Sequence, residues 1–319
     1  MKHLMMAGLL AVASLGAHAA GLDLSRYTSS TSYALDRLGE LGLEASAVTY
    51  AQDRGSLFFV GDEGLGVVEV SLTGQTLGSM AFDWAGTGSS NNDAEGLSYM
   101  GNGQLLLVEE RLQRAYSVSY AAGASVALGS APSAVISNWS ASNIGIEGIS
   151  YDPRDGSVVT VKQAADGNPN RGPQEVRAGQ LDFAGGNPLP VLFDANLLGL
   201  ASLSDVQVLS VVDALSGTAA ADHLLILSLD SRRIVETTRS GQIVSWLDIS
   251  GLTSTQAIEG ITIDERGIIY LVAEQQQGSG APLDAASRLF VLTPVPEPGT
   301  WALMACGLGV LGWRARQRA

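Results

Sequence analysis

Three stretches of this chain open on glutamate and then read almost alike. Glu95 begins E-G-L-S-Y-M-G-N-G-Q-L-L-L-V-E-E, Glu147 begins E-G-I-S-Y-D-P-R-D-G-S-V-V-T-V-K, and Glu259 begins E-G-I-T-I-D-E-R-G-I-I-Y-L-V-A-E. Fifteen residues after each opening glutamate stand Glu110, Lys162 and Glu274. A strand hairpin returns the end of its second strand to the place where its first began, so opener and follower meet. Asp62 and Glu63 hold the comparable place after a weaker copy that starts near Ser46, and Asp230 after one around Ser204. Like charges gathered this closely raise one another's pKa or take up a cation. The candidate metal ligands are therefore Glu63, Glu95, Glu110, Glu147, Glu259 and Glu274. Oxygen-only donors suit calcium, which takes about 6–8 oxygens in flexible geometry. A structural role is equally open, with each carboxylate capping backbone N–H groups of the next repeat unit. Lys162 is the candidate countercharge.

Other chemistries are poorly supplied. The one cysteine, Cys306, lies in the apolar C-terminal segment, so a disulfide scaffold, a zinc–thiolate site and a cysteine nucleophile in the body are excluded. His3 and His18 fall in the leader, which leaves His223. A Ser-His-Asp hydrolase would have to use it as base. It opens a predicted second strand, on the face opposite the carboxylates, where a packing or surface histidine is expected. Copper, zinc and non-haem iron sites also lack their usual imidazoles. A calcium-dependent hydrolase would need no histidine, because the metal itself can activate water. The net charge of −14 argues against nucleic acid as a partner.

The elements that must position these carboxylates follow from the repeat. The anchors Ser46, Glu95, Glu147, Ser204 and Glu259 are spaced by 49, 52, 57 and 55 residues. Periods of this size belong to propellers, solenoids or arrays. Each unit reads as a short apolar strand, a turn rich in Gly, Asp, Asn and Pro, a second apolar strand, and one or two more. Four short antiparallel strands per unit describe a propeller blade. The spacing predicts an all-β, five-bladed β-propeller over 20–294, with each first strand lining a central channel. The last unit is short, with strands near 259–263, 268–273 and 287–292. The segment 22–37 is expected to supply its outer strand and close the ring, which removes the exposed edges of an open sheet.

The repeated E-G-[LI]-[ST]-Y, followed by a turn and an apolar strand, resembles the SdiA-regulated (YjiK-like) family over about 40–293. That resemblance implies an NHL-like five-bladed propeller that binds calcium. Ser46 and Ser204 depart from the pattern where the strong repeats carry Glu, and Ala47 and Asp205 where they carry Gly.

The two ends read as addresses. Residues 1–19 combine Lys2 and His3, an apolar run from Leu4 to Leu15, and Ala17-His18-Ala19 as a cleavage site, the pattern of a signal peptide. Residues 295–319 join Pro296-Glu297-Pro298, an apolar stretch from Thr300 to Trp313, and Arg314, Arg316 and Arg318. This resembles the PEP-CTERM sorting signal. The resemblance implies a Gram-negative bacterium, transient anchoring in the inner membrane, processing by an exosortase, and delivery to the cell surface or extracellular matrix. The expected role is a calcium-binding surface or matrix module, with exopolysaccharide or surface components as partners. The competing expectation is a calcium-dependent hydrolase of the phytase-like esterase, lactonase or phosphoesterase class. An open cavity beside the carboxylates is the feature that would favour an exogenous ligand over a purely structural ion.

Overall fold

Apolar runs such as Leu57-Phe58-Phe59-Val60 and Leu105-Leu106-Leu107-Val108 are too short for helices and have no polar alternation, so each suits a strand buried on both faces. The computed structural model describes residues 21–165, 168–253, 255–275 and 286–295, and these strands form five sheets in a ring. After an N-terminal strand β1 (Tyr27–Ala34), the first blade contains β2 (Ala45–Ala51), β3 (Ser56–Gly61), β4 (Gly66–Val70) and β5 (Thr76–Asp83). The second contains β6 (Ala94–Gly101), β7 (Gln104–Glu109) and β8 (Arg114–Ser119). Its chain then lends β9 (Ser125–Ala127) to the edge of the first blade, parallel to β5, before returning as β10 (Ser133–Val135). The third blade is β11 (Ile146–Tyr151), β12 (Val158–Lys162), β13 (Glu175–Gly179) and β14 (Val191–Asp194). The fourth is β15 (Asp205–Val208), β16 (Leu224–Ser228), β17 (Arg233–Thr237) and β18 (Ile243–Asp248). The fifth is β19 (Ile258–Ile263), β20 (Ile269–Ala273) and β21 (Arg288–Pro294), completed by β1, which pairs antiparallel with β21. The fold is thus the expected all-β, five-bladed propeller closed by its N-terminal strand. The signal and sorting segments, 1–19 and 296–319, lie outside the described residues.

The apolar core lies between blades. Five clusters fill the five blade-to-blade gaps, for example Phe58, Val67, Met80 and Leu107 between the first and second blades. The channel-lining strands have a different connection. Thr49 Oγ1 accepts from the backbone N–H of Tyr99 at 2.9 Å, Ser98 Oγ from Tyr151 at 2.8 Å, and Ser150 Oγ from Val208 at 3.0 Å. Gln207 Oε1 then accepts from the Thr262 hydroxyl, and Thr262 Oγ1 accepts from Tyr50 N–H at 3.1 Å, which completes a circuit of the axis. The [ST]-Y pair of the repeat is therefore a latch from each blade to the next. Ser98→Ala would leave the Tyr151 N–H without this acceptor. We expect a loss of about 1 kcal/mol, read as a lower denaturant midpoint at unchanged m-value.

Glycine after each opening glutamate permits the close approach of neighbouring first strands. A Cβ on Gly148 would lie 2.6 Å from the Asp205 Cα, and one on Gly260 would lie 2.9 Å from the Ala47 Cα.

Candidate metal centre at the acidic mouth of the channel

The opening glutamates stand at a shared irregularity. In β6, β11 and β19 the register with the second strand shifts between Ala94 and Gly96, Ile146 and Gly148, and Ile258 and Gly260. Glu95, Glu147 and Glu259 are the extra residues at these bulges, and a bulge re-aims its side chain. In the first blade Ser46 holds the same bulge, between Ala45 and Ala47. The three glutamates line a cavity of about 490 Å³ at this end of the channel, together with Asp62, Glu110 and Glu274. Asn143, Gln163, Leu229 and Arg232 line its other side.

Five of the six candidate ligands, Glu95, Glu110, Glu147, Glu259 and Glu274, thus converge on one mouth. Glu63 does not: it is exposed and outside the lining, and Asp62 takes that place. Strand register gives the reason. Tyr99 pairs with Leu105 and Ile263 with Ile269, whereas Tyr50 pairs with Leu57 and Tyr151 with Val158, one residue further on. A constant count of fifteen therefore falls one residue short where the turn is longer, and Glu63 lies one residue past the equivalent place. The true equivalents of Glu110 and Glu274 are Asp62 and Gln163, whose backbone N–H groups donate to Glu44 and Gly145, as those of Glu110 and Glu274 donate to Asp93 and Ala257. Lys162 corresponds to Glu109 instead. It is fully buried, its ammonium donates to the Ala164 carbonyl, and it is not part of the cavity wall. Asp230 is exposed, and Leu229 lines the mouth in its blade. The loop 168–173 leans on the loop of Trp139, with Ser140 N–H donating to the Asn170 carbonyl, and none of these residues lines the cavity.

One acidic residue of the mouth was not among the sequence candidates. Single oxygens of Asp62, Asp93 and Glu95 lie within 4.8 Å of one another. Asp93 ends the glycine-rich run before Glu95, and its carboxylate is held by Arg111 at 2.6 Å. Arg111 also bonds Asn143 and lies 3.5 Å from Glu110. Arg232 is the second cation of this rim and donates to the Thr253 carbonyl.

Burial first, and then neighbouring carboxylates, holds Glu95, Glu147 and Glu259 well above the usual carboxylate range. The same causes push Asp62 up to about 7, with Glu44 the neighbouring charge that acts on it most. Burial also raises Glu110 to about 7, although its carboxylate accepts from the Gly145 backbone N–H at 2.7 Å. Several carboxylates have taken the blade-joining role. Glu110 is one, and Asp205, the fourth blade's substitute for the repeat glycine, accepts from Ile261 N–H of the fifth blade at 2.8 Å. For Glu95 and Glu259 no such bond is formed among the described residues. His223 is bonded to Glu236 at 2.7 Å beneath the N-terminal segment, where Glu236 also accepts from Leu22 N–H.

The sequence model of the SdiA-regulated family matches residues 23–276, and that of the PEP-CTERM protein-sorting motif matches 294–319. The chain belongs to the SdiA-regulated family. The sorting motif of this family member implies export and recognition by an exosortase. No helix among the described residues is long and apolar enough to cross a membrane. Solved structures similar to this SdiA-regulated propeller include a glutaminyl cyclase from Myxococcus xanthus, 14% identical, covering 85% of this chain and 97% of that one at a TM-score of 0.48. A luciferin-regenerating enzyme is 12% identical, covering 83% and 95%, at 0.47. The hydrazine synthase of Kuenenia stuttgartiensis is 11% identical, covering 75% and 58%, at 0.40. These are distant likenesses of chain path and say nothing about chemistry.

Proposed function

We propose that this exported propeller binds a calcium ion at its acidic mouth and works as a binding module at the cell surface or in the extracellular matrix. The observation that carries the reading is the open cavity of about 490 Å³ walled by Asp62, Glu95, Glu110, Glu147, Glu259 and Glu274. The donor set fits the ion: it is oxygen only, drawn from several blades, and too crowded with negative charge to be fully ionised without a cation. Among the described residues, Asp62, Asp93 and Glu95 place ligand oxygens within 4.8 Å of one another. Calcium would supply positive charge and exchangeable coordination positions. The chain's own residues do the rest: Arg111 orients Asp93, and Arg232, Asn143 and Gln163 form a wall suited to oxygen atoms of an anionic or polyhydroxyl ligand.

The openness of the mouth also supports a second reading, a calcium-dependent hydrolase of an ester, lactone or phosphoester, since such an enzyme needs space beside its ion. Arg232 would then face developing negative charge.

Calcium titration of the full-length, metal-free protein by calorimetry tests the shared premise. Saturable binding is expected, with Glu95→Gln weakening it by about tenfold or more. No heat of binding, together with an unchanged melting temperature, would sink both readings. If calcium binds, turnover of p-nitrophenyl esters or phosphates that needs calcium and is lost in Arg232→Gln would favour the hydrolase.

A further inference from the structure

The channel has a second mouth. Between Glu95 and Tyr99 the β6 strand advances roughly 13 Å, at about 3.3 Å per residue. At this far end a separate cavity of about 280 Å³ is lined by Tyr50, Tyr99 and Tyr151, the tyrosines that close three copies of the repeat, with Ile263 at the corresponding place in the fifth blade. Two carboxylates, Asp53 and Glu265, complete its chemistry, and no Lys, Arg or His is among its lining residues. The arginine beside each turn is committed elsewhere. Arg54 is bound to Glu69 at 2.7 Å, Arg154 to Asp152 and Asp222 at 2.7 Å, and Arg266 to Asp264 at 2.6 Å. Asp53 accepts from Asn102 N–H and meets the Tyr99 hydroxyl, and the Tyr50 hydroxyl meets the Glu265 carboxylate, whose other oxygen, Oε2, is buried without a hydrogen-bond partner. A buried acceptor left unpaired costs free energy that a donor-bearing ligand would recover.

We propose that this tyrosine-lined mouth is a second binding site, for a small organic ammonium ion, with Asp53 and Glu265 meeting its charge and the tyrosines covering its carbon. The absence of cationic side chains from the wall disfavours an anion. Two carboxylates, one of them the exposed Asp53, give this wall far less negative charge than the six acidic side chains of the other mouth, which suits a singly charged ammonium group better than calcium. Phenol rings and aliphatic carbon beside carboxylates match an alkylammonium group, which such rings attract through their faces in a partly desolvated pocket. This site lies at the opposite end of the channel from the proposed calcium centre and does not depend on it.

Calorimetric titration of the full-length, calcium-saturated protein with choline and with 1,4-diaminobutane tests the idea. The probe 3,3-dimethyl-1-butanol has the shape of choline without its charge. At least one ammonium compound should bind saturably, and the neutral alcohol about tenfold more weakly or not at all. Glu265→Gln and Asp53→Asn should each weaken the ammonium ion by about tenfold, with melting temperature recorded to show that each variant is folded. Both replacements are close in shape, and either folded variant suffices. Absence of saturable binding by both ammonium compounds would overturn the proposal. So would equal affinity for the neutral alcohol, or binding that survives in the folded variants.

Discussion

Metal-free protein should lose stability as pH rises from about 5 to about 8, the reverse of the usual behaviour of a carboxylate-rich protein. Asp62 and Glu110 are raised to about 7 in the folded chain from ordinary values of 3.8 and 4.5. A group raised by folding binds more protons in the native than in the unfolded state across that interval. Its stabilising contribution is complete below the unfolded value and is lost as pH climbs through the folded one. Glu95, Glu147 and Glu259 are shifted in the same direction and add to the trend. Solvent at the open mouth screens part of the effect, so we expect about 3 kcal/mol from Asp62 and Glu110 together. Urea midpoints measured at both pH values would show it. Calcium at saturation should cancel the slope, because the ion replaces the protons as the source of positive charge. It should also raise the melting temperature near pH 8 by about 5 °C at a concentration a hundred times its Kd. A metal-free stability that is flat or rising across the interval would mean that these carboxylates ionise freely and do not crowd one another.

Gly148→Ala should be among the most destabilising single methyl additions in the chain. Its Cβ would sit 2.5 Å from Asp205 Oδ1 and 2.6 Å from the Asp205 Cα, and backbone cannot step aside as a flexible side chain can. Asp205 is also fixed in place by its bond to Ile261 N–H, so relief of the clash would break the latch between the fourth and fifth blades. Overpacking of this kind costs about 1–3 kcal/mol, and loss of the buried carboxylate bond adds about as much again. We expect a fall of about 4 kcal/mol in unfolding free energy. Gly251→Ala is the control: a Cβ there meets nothing within 4 Å, and its effect should stay within about 0.5 kcal/mol. Equal denaturant midpoints for the two variants would show that the first strands do not pack as closely as the repeat pattern requires.

Much of this architecture could be read from the chain. Five anchors at near-constant spacing specify five units. The run of apolar residues within each unit is too short for a helix, and a ring of such units has a natural partner for its last sheet in the first apolar segment. The convergence of Glu95, Glu147 and Glu259 was legible for the same reason, since equivalent positions of equivalent blades must share a face. The C-terminal sorting segment was legible because its recognition depends on composition and order along the chain.

Other features depended on lengths and neighbours that no repeat unit records. Asp62 takes the place of Glu110 because the first blade's turn is one residue longer than the second's, and Glu63 lies one residue beyond it, past the end of the strand. The same extra residue put Gln163, and not Lys162, at the mouth. Asp93 joins the carboxylates because Arg111 draws it there from outside the repeat. The joining of first strands fell mainly to Ser98, Thr49, Ser150 and Thr262, whose hydroxyls reach N–H groups about fifty residues away in sequence or farther. Spacing and composition by themselves determined a five-bladed, acidic, exported propeller, because hydrophobic periodicity and sorting motifs are local properties of the chain. Only the tertiary structure decided which oxygens face the cavity, and that the channel's other end is walled by tyrosines beside an unpaired carboxylate oxygen. Side-chain direction at the end of a strand is set by turn length, bulges and the neighbouring blade together.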